Sequence, residues 1–229
     1  ITPAHEWTGA LPPALKKPVP KNALEKPRPM RPPVVQIRKS QRWQLRNWWY
    51  QEMITTDSPL TGRMVLFWHN HFASSLFKVR NYYYLYNQNV LFRRHALGNF
   101  RDLLKQIARD PAMMLYLDMH TNLKGNPNEN FARELLELFT VGEGFYTEED
   151  IKEAARAFTG WNFDREKGEF EMNKDQHDDG IKTFLAHEGP FGGDEIIDII
   201  LEQPRTSVFI TEKLWRTFWK FSLSVSAIV

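Results

Sequence analysis

Pro59-Leu60-Thr61-Gly62-Arg63-Met64-Val65-Leu66-Phe67-Trp68-His69-Asn70-His71-Phe72 decides the class of fold. Asp57-Ser58-Pro59 ahead of it supplies a cap residue and a proline at the first helical position. The spacing predicts a helix over 59–77, with Leu60, Met64, Phe67, Trp68, His71 and Ser75 on one side. Val65, Leu66, Phe72 and Leu76 spread apolar surface round most of the rest. A helix apolar nearly all round is a central, buried one, so the domain is expected to assemble around it.

Working outward, Trp43, Leu45, Trp48, Trp49 and Met53 predict a helix beginning near Ser40 and ending near Thr56. Tyr82–Tyr86 reads as an aromatic loop or helix start. A helical stretch over 89–108 with a break at Gly98, and a short restart at Asp110-Pro111, follow it. Asn126-Pro127-Asn128-Glu129 and Thr147-Glu148-Glu149-Asp150 are both written as helix starts, each with a cap and a returning acid. Gly142 and Gly144 stop the first of these helices after Phe139. Trp161/Phe163 and Phe170/Met172 then alternate across Lys167-Gly168, which reads as a small β-hairpin near 161–173. A short strand over 181–185, a helix opened by Gly192-Gly193-Asp194 and a last helix from Pro204 complete the chain. The expectation is a mainly α fold: an irregular multi-helix bundle, residues 40–221, with one small hairpin.

Composition supports a packed domain: 42% of the 229 residues are hydrophobic, with 16 Phe, 8 Trp and 7 Tyr to fill a core. Nine of the 14 prolines fall in residues 3–33, so residues 1–39 are expected to form an extended, Pro-rich basic arm or linker. Residues 1–44 carry nine basic side chains against Glu6 and Glu25, a net +7, so the remainder sums to −5 against the overall +2. Such an arm can touch nucleic acid, anionic lipid or an acidic partner, and is more often a solvated arm with no dedicated ligand. No aromatic stacking pattern is interleaved with the basic residues, and a nucleic-acid role therefore ranks third. With no cysteine there is no disulfide, thiolate metal site or Cys nucleophile. No run is long and apolar enough to span a bilayer.

Three clusters could carry chemistry. His69 and His71 form an HxH pair, but on a helix residues two apart point roughly 200° from each other, so one metal does not easily take both. A buried His71 bonded to an acceptor competes with His71 as a metal ligand. Glu134 borders the apolar face marked by Phe131, Leu135 and Leu138, where a carboxylate must find a partner or change its pKa. Glu129, Arg133 and Glu137 recur every four residues and read as surface ion pairs. His177-Asp178 with Lys182 lies in a turn-rich loop, where a His beside an acid can be a general base or metal ligand, or can serve the turn alone.

Several ordered motifs, taken together, are familiar: Phe67-Trp68-His69-Asn70-His71-Phe72, Leu97-Gly98-Asn99-Phe100-Arg101-Asp102, Pro127-Asn128-Glu129-Asn130-Phe131-Ala132-Arg133-Glu134-Leu135, Thr159-Gly160-Trp161, His177-Asp178-Asp179-Gly180-Ile181-Lys182 and Lys213-Leu214-Trp215. Over roughly residues 44–220 the chain resembles the bacterial domain-of-unknown-function family number 1800. The resemblance implies an uncharacterised exported protein, periplasmic or at the cell surface, and carries no reaction and no catalytic residue. His69, His71, Asn128, Glu129, Arg133, Glu134, Trp161, His177, Asp178 and Lys182 match the family's motif positions. Beside the resemblance, the proline-rich front and the apolar tail 222–229 read as a truncated member.

Two readings follow. In the first, His71, Glu134 and the His177/Asp178 loop converge on a polar ligand or a divalent metal such as zinc, supporting hydrolysis. His71, Glu134, His177 and Asp178 are then the catalytic candidates, and His71, Glu134 and His177 the metal candidates. In the second, the domain is a non-catalytic structural or assembly module whose polar groups satisfy one another. A protein partner or a second copy is expected to bind through the C-terminal helix and the arm.

Overall fold

The computed structural model describes residues 32–219, and the expectations for the arm before Pro32 and for the tail lie outside them. The described elements are α1 (Pro32–Thr55), α2 (Pro59–His71), α3 (Leu76–Val79), α4 (Tyr82–Arg94), α5 (Phe100–Ile107), α6 (Pro111–Tyr116), α7 (Asn130–Glu134), α8 (Glu148–Ala157), α9 (Gly193–Glu202) and α10 (Pro204–Phe218). Strands β1 (Trp161–Asp164) and β2 (Glu169–Met172) form one two-stranded sheet, and β3 (Lys182–Phe184) and β4 (His187–Gly189) another. The mainly helical expectation holds, with a second hairpin added.

Three boundaries differ from the sequence reading, each for a local reason. Helix α1 starts at Pro32 rather than near Ser40. Prolines are tolerated in a first helical turn, whose N–H groups have no intrahelical partner in any case. The helix expected over 59–77 ends at His71. Ser75 then takes extended backbone and its hydroxyl accepts from Phe77 N, which caps α3 as a separate helix. Helix α7 begins at Asn130, because the Asn128 side chain, not that of Asn126, accepts from the first helical N–H.

The chain divides into two compact units. The first comprises the residues through His69, Ala73–Tyr116 and Phe163–Glu171. Its core includes Val65, Phe92, Leu103, Leu104, Ile107, Met113 and Met114, all fully buried. Leu60 and Leu66 remain 46% and 40% exposed, so α2 is less completely wrapped than its composition implies. A buried polar chain runs through this unit: Ser74 Oγ donates to Gln88 Oε1 (2.6 Å), and Gln88 Nε2 donates to Asp110 Oδ2 (2.8 Å). Met113 N donates to the same carboxylate oxygen, so Asp110 caps α6 from inside the core.

The second unit comprises Asn70–Phe72, Leu117–Asn162 and the residues from Met172 onward. Phe72, Phe131, Leu135, Leu136, Ile151, Phe158, Phe184, Ile196, Ile197 and Ile200 fill its core. Helix α8 starts as the sequence reads: Thr147 Oγ1 accepts from Asp150 N, while Asp150 Oδ2 accepts from Thr147 N (2.8 Å). Beyond α7 the backbone widens into a π-helical stretch, Leu135–Thr140, stopped by Gly142 at φ +82°.

Candidate functional site

The polar motif residues of the second unit, Glu134 apart, can be traced to their partners, and two hydrogen-bonded knots emerge. The first closes the C-terminal end of the π-helical stretch. The last carbonyls of a helix have no intrahelical donor and need one from elsewhere. His71, 6% exposed at the end of α2, donates Nε2–H to the Phe139 carbonyl (3.0 Å). Lys213 on α10 donates to the Leu138 carbonyl (2.7 Å) and to His71 Nδ1 (3.3 Å). Arg205, also on α10, donates Nε–H to the Val141 carbonyl (3.2 Å). Cationic donors at a helix C-terminus also complement its dipole.

These partners fix the His71 tautomer, with the proton on Nε2 and the Nδ1 lone pair taken by Lys213. Burial, then the neighbouring Lys213 charge, lowers its pKa to about 3, against the weaker opposing pull of the Phe139 carbonyl. The ring is neutral at physiological pH, and both nitrogens are spent on protein groups. Burial likewise lowers the Lys213 pKa.

The second knot joins the end of α8 to the loop before β3. His177 Nδ1 donates to the Thr159 carbonyl (2.8 Å), and Asp178 N donates to Thr159 Oγ1 (2.8 Å). Arg156 grips the Asp178 carboxylate with Nε at 2.8 Å and Nη2 at 3.2 Å, and holds Glu153 through Nη1 at 2.8 Å. The bond from Arg156 brings the Asp178 pKa down to about 2 and raises that of Arg156. Inside the loop the buried Lys182 ammonium donates to the carbonyls of Asp178 (2.6 Å) and Gly180 (2.9 Å). Burial lowers its pKa, opposed by Asp178. Next to this knot, Asn122 Nδ2 donates to the Ala155 carbonyl and Asn122 Oδ1 accepts from Asn128 N, both at 2.8 Å.

Glu134 belongs to neither knot. It is half-buried, with its pKa raised by burial and by Glu137, and has no hydrogen bond or ion pair among the described residues. Its neighbour Arg133 is taken by Glu129 (3.1 Å), as the four-residue spacing suggested, and by Glu148 (2.8 Å), whereas Glu137 accepts from the Tyr146 hydroxyl (3.4 Å) instead. His69 lies in the first unit, its ring against Trp49 and Phe92, with Nε2 accepting from Asn89 Nδ2 (3.1 Å). Burial lowers its pKa to about 4. The HxH pair is thus divided between two sets of neighbours.

Among the described residues, no group of three or more His, Asp or Glu could hold a metal ion. A shallow open cleft of ≈ 300 Å³ is lined by Pro127, Glu129, Glu149, Lys152, Glu153 and Arg156. None of His71, Glu134, His177 and Asp178 lines it, and its charges pair locally as Lys152–Glu149 (3.2 Å) and Arg156–Glu153 (2.8 Å). Arg156, Thr159 and Lys213 organise the two knots. Only the three-residue spacing of Glu153 and Arg156 on α8 was a local signal for any of them.

Both knots belong to the second unit of a mainly helical fold. The chain matches the family model described as "Protein of unknown function (DUF1800)" over residues 10–224, and it belongs to that family. The match begins well before Trp43, so most of the proline-rich stretch is family sequence too. No curated protein and no solved structure matches the chain. No helix among the described residues is long and apolar enough to cross a membrane.

Proposed function

We propose that this domain is a non-catalytic structural or assembly module, exported by its bacterium, whose shared motifs maintain the fold. The observation that carries the reading is how the motif's polar residues are used. His71, His177 and Lys182 donate to main-chain carbonyls, and Asp178 is held by Arg156. So engaged, His71, Lys182 and Asp178 are neither free bases nor open ligands, whereas His177 keeps Nε2, 3.9 Å from Asp179 Oδ1. Export rests on the family resemblance.

The hydrolytic alternative, with zinc held by His71, Glu134 and His177 beside Asp178, draws on Glu134. Its half-buried carboxylate, with a raised pKa and no pairing among the described residues, is the kind of group a ligand would satisfy.

Stability and metal content separate the two. Lys182→Met keeps the side-chain volume but removes the buried donor to the Asp178 and Gly180 carbonyls, and is expected to cost about 2 kcal/mol in urea unfolding. Glu134→Gln is expected to change stability by less than ~0.5 kcal/mol. Elemental analysis of the purified protein should find no stoichiometric divalent metal. Zinc at one per chain, lost on Glu134→Gln, would overturn the structural reading.

A further inference from the structure

Helix α10 is built in two opposed halves. Thr206 and Ile210 are buried on one side, and Arg205 and Lys213 reach the carbonyls of Val141 and Leu138. At roughly 100° per residue, Val208, Thr211 and Trp215 fall on the other side, together with Trp219 just past the helix end, while Glu212 and Arg216 lie on its flank, in line with Arg205. All of these but Arg205 are exposed, Val208 by 45%, Trp215 by 58% and Trp219 by 52%. The two indoles stack with centroids 4.9 Å apart, a ready-made apolar surface with water on its outer side.

The charges beside this stripe indicate what covers it. Glu212 and Arg216 lie four residues apart on the same flank, whereas the other flank presents Thr211. Glu212 makes one long contact, to Arg205 at 3.5 Å, and Arg205 has its own anchors in the Val141 carbonyl and the Phe145 ring. When two helices pack antiparallel about a two-fold axis, like flanks face each other. When they pack parallel, unlike flanks do. An antiparallel copy centred near residue 214 therefore sets Glu212 against Arg216 of the second copy, and Arg216 against Glu212, at both ends of one contact. The same centre brings Val208 against Trp219 and the two Trp215 side chains beside the axis. A parallel copy would set the charged flank against threonine.

We propose that this face of α10 is an isologous, antiparallel docking surface for a second copy of the chain. The proposal rests on the assembly reading above and names its partner. Helix α10 supplies the apolar centre, Arg205 and Lys213 anchor it, and the Glu212/Arg216 flank sets the direction.

Sedimentation velocity on the full chain at micromolar concentration tests it. A dimer is expected. Arg216→Glu places like charges together at both ends and should raise the dissociation constant about tenfold. The exchange of both, Glu212→Arg with Arg216→Glu, should restore the dimer, which a merely unfolded variant could not do. A monomeric wild type overturns the proposal, as does a dimer that Arg216→Glu leaves unchanged. A metal-free monomer would remove this interface while leaving the structural reading of the motifs in place.

Discussion

Replacing Gly160 by alanine is expected to destabilise the chain by about 4 kcal/mol in urea unfolding, among the largest effects of any single methyl group in it. Two costs combine. Gly160 has φ +79°, a left-handed conformation that costs an L-residue roughly 1–2 kcal/mol. Its missing side chain also leaves room for another segment. A Cβ there would collide with the Asn173 carbonyl oxygen and press on His177 N at 3.1 Å and the Gln176 carbonyl carbon at 3.2 Å. That backbone cannot retreat easily: Asn173 N donates to the Gly160 carbonyl (2.8 Å), Gly160 N donates to Asn122 O (3.0 Å), and His177 is tied to Thr159. Overpacking against such a braced loop costs roughly 1–3 kcal/mol more. Gly144 provides the control, because it has φ +84° and nothing within 4 Å of its Cβ position. Gly144→Ala should cost only the conformational part, about 1 kcal/mol. Equal losses at the two positions would show that the close approach at Gly160 contributes nothing.

The sequence made the helical framework readable wherever a local rule sets an element. Thr147 and Asp150 form the capping box their spacing announces, Trp161 and Phe163 alternate inward as a strand, and Pro204 opens α10. What stayed hidden depends on distant partners or special backbone. Strand β4 has no apolar alternation. It exists because Leu185 and Ala186 adopt φ +44° and +65°, a turn usually written with Asn or Gly. The π-helical stretch reads as ordinary α-helix in sequence, since its widened turn ends on carbonyls capped by His71, Lys213 and Arg205 from elsewhere.

The candidate site was legible in its residue types but not in their use. His71, Glu134, His177 and Asp178 are the kinds of side chain that make active sites. Three of them bind Phe139, Thr159 and Arg156, two through main-chain carbonyls. Every residue has a carbonyl, so sequence carries no mark of which one a histidine or lysine will seek. Lys182 shows the same limit: its buried ammonium is satisfied by Asp178 and Gly180 oxygens that no side-chain pattern advertises.

Asp110 should give the chain an unusual pH dependence, of opposite sign to that of its buried histidines. Its carboxyl lies wholly inside the first unit, and burial raises its pKa from 3.8 to about 7, against the partial relief of bonds from Met113 N, Gln88 and Ala112. No charged side chain is among those causes; the contacts are two backbone amides and the neutral Gln88–Ser74 chain. A folded pKa above the unfolded one means that the native state holds the proton more tightly. The associated stability is complete below pH 3.8 and is lost as pH rises through about 7. Between about pH 5 and pH 8 that loss amounts to about 3 kcal/mol. His69 and His71 work the other way. Their pKa values, lowered from 6.5 to about 4 and about 3, contribute stability that is present above 6.5 and lost on acidification. The wild-type curve alone therefore mixes both signs, and a comparison with Asp110→Asn isolates the carboxyl. Asparagine keeps an oxygen to accept from Met113 N and Gln88 but cannot ionise, so the stability of wild type relative to the variant should fall by about 3 kcal/mol from pH 5 to pH 8. Urea unfolding at the two pH values reads that difference directly. Parallel pH curves for the two proteins would mean that Asp110 titrates at its ordinary value in the folded chain.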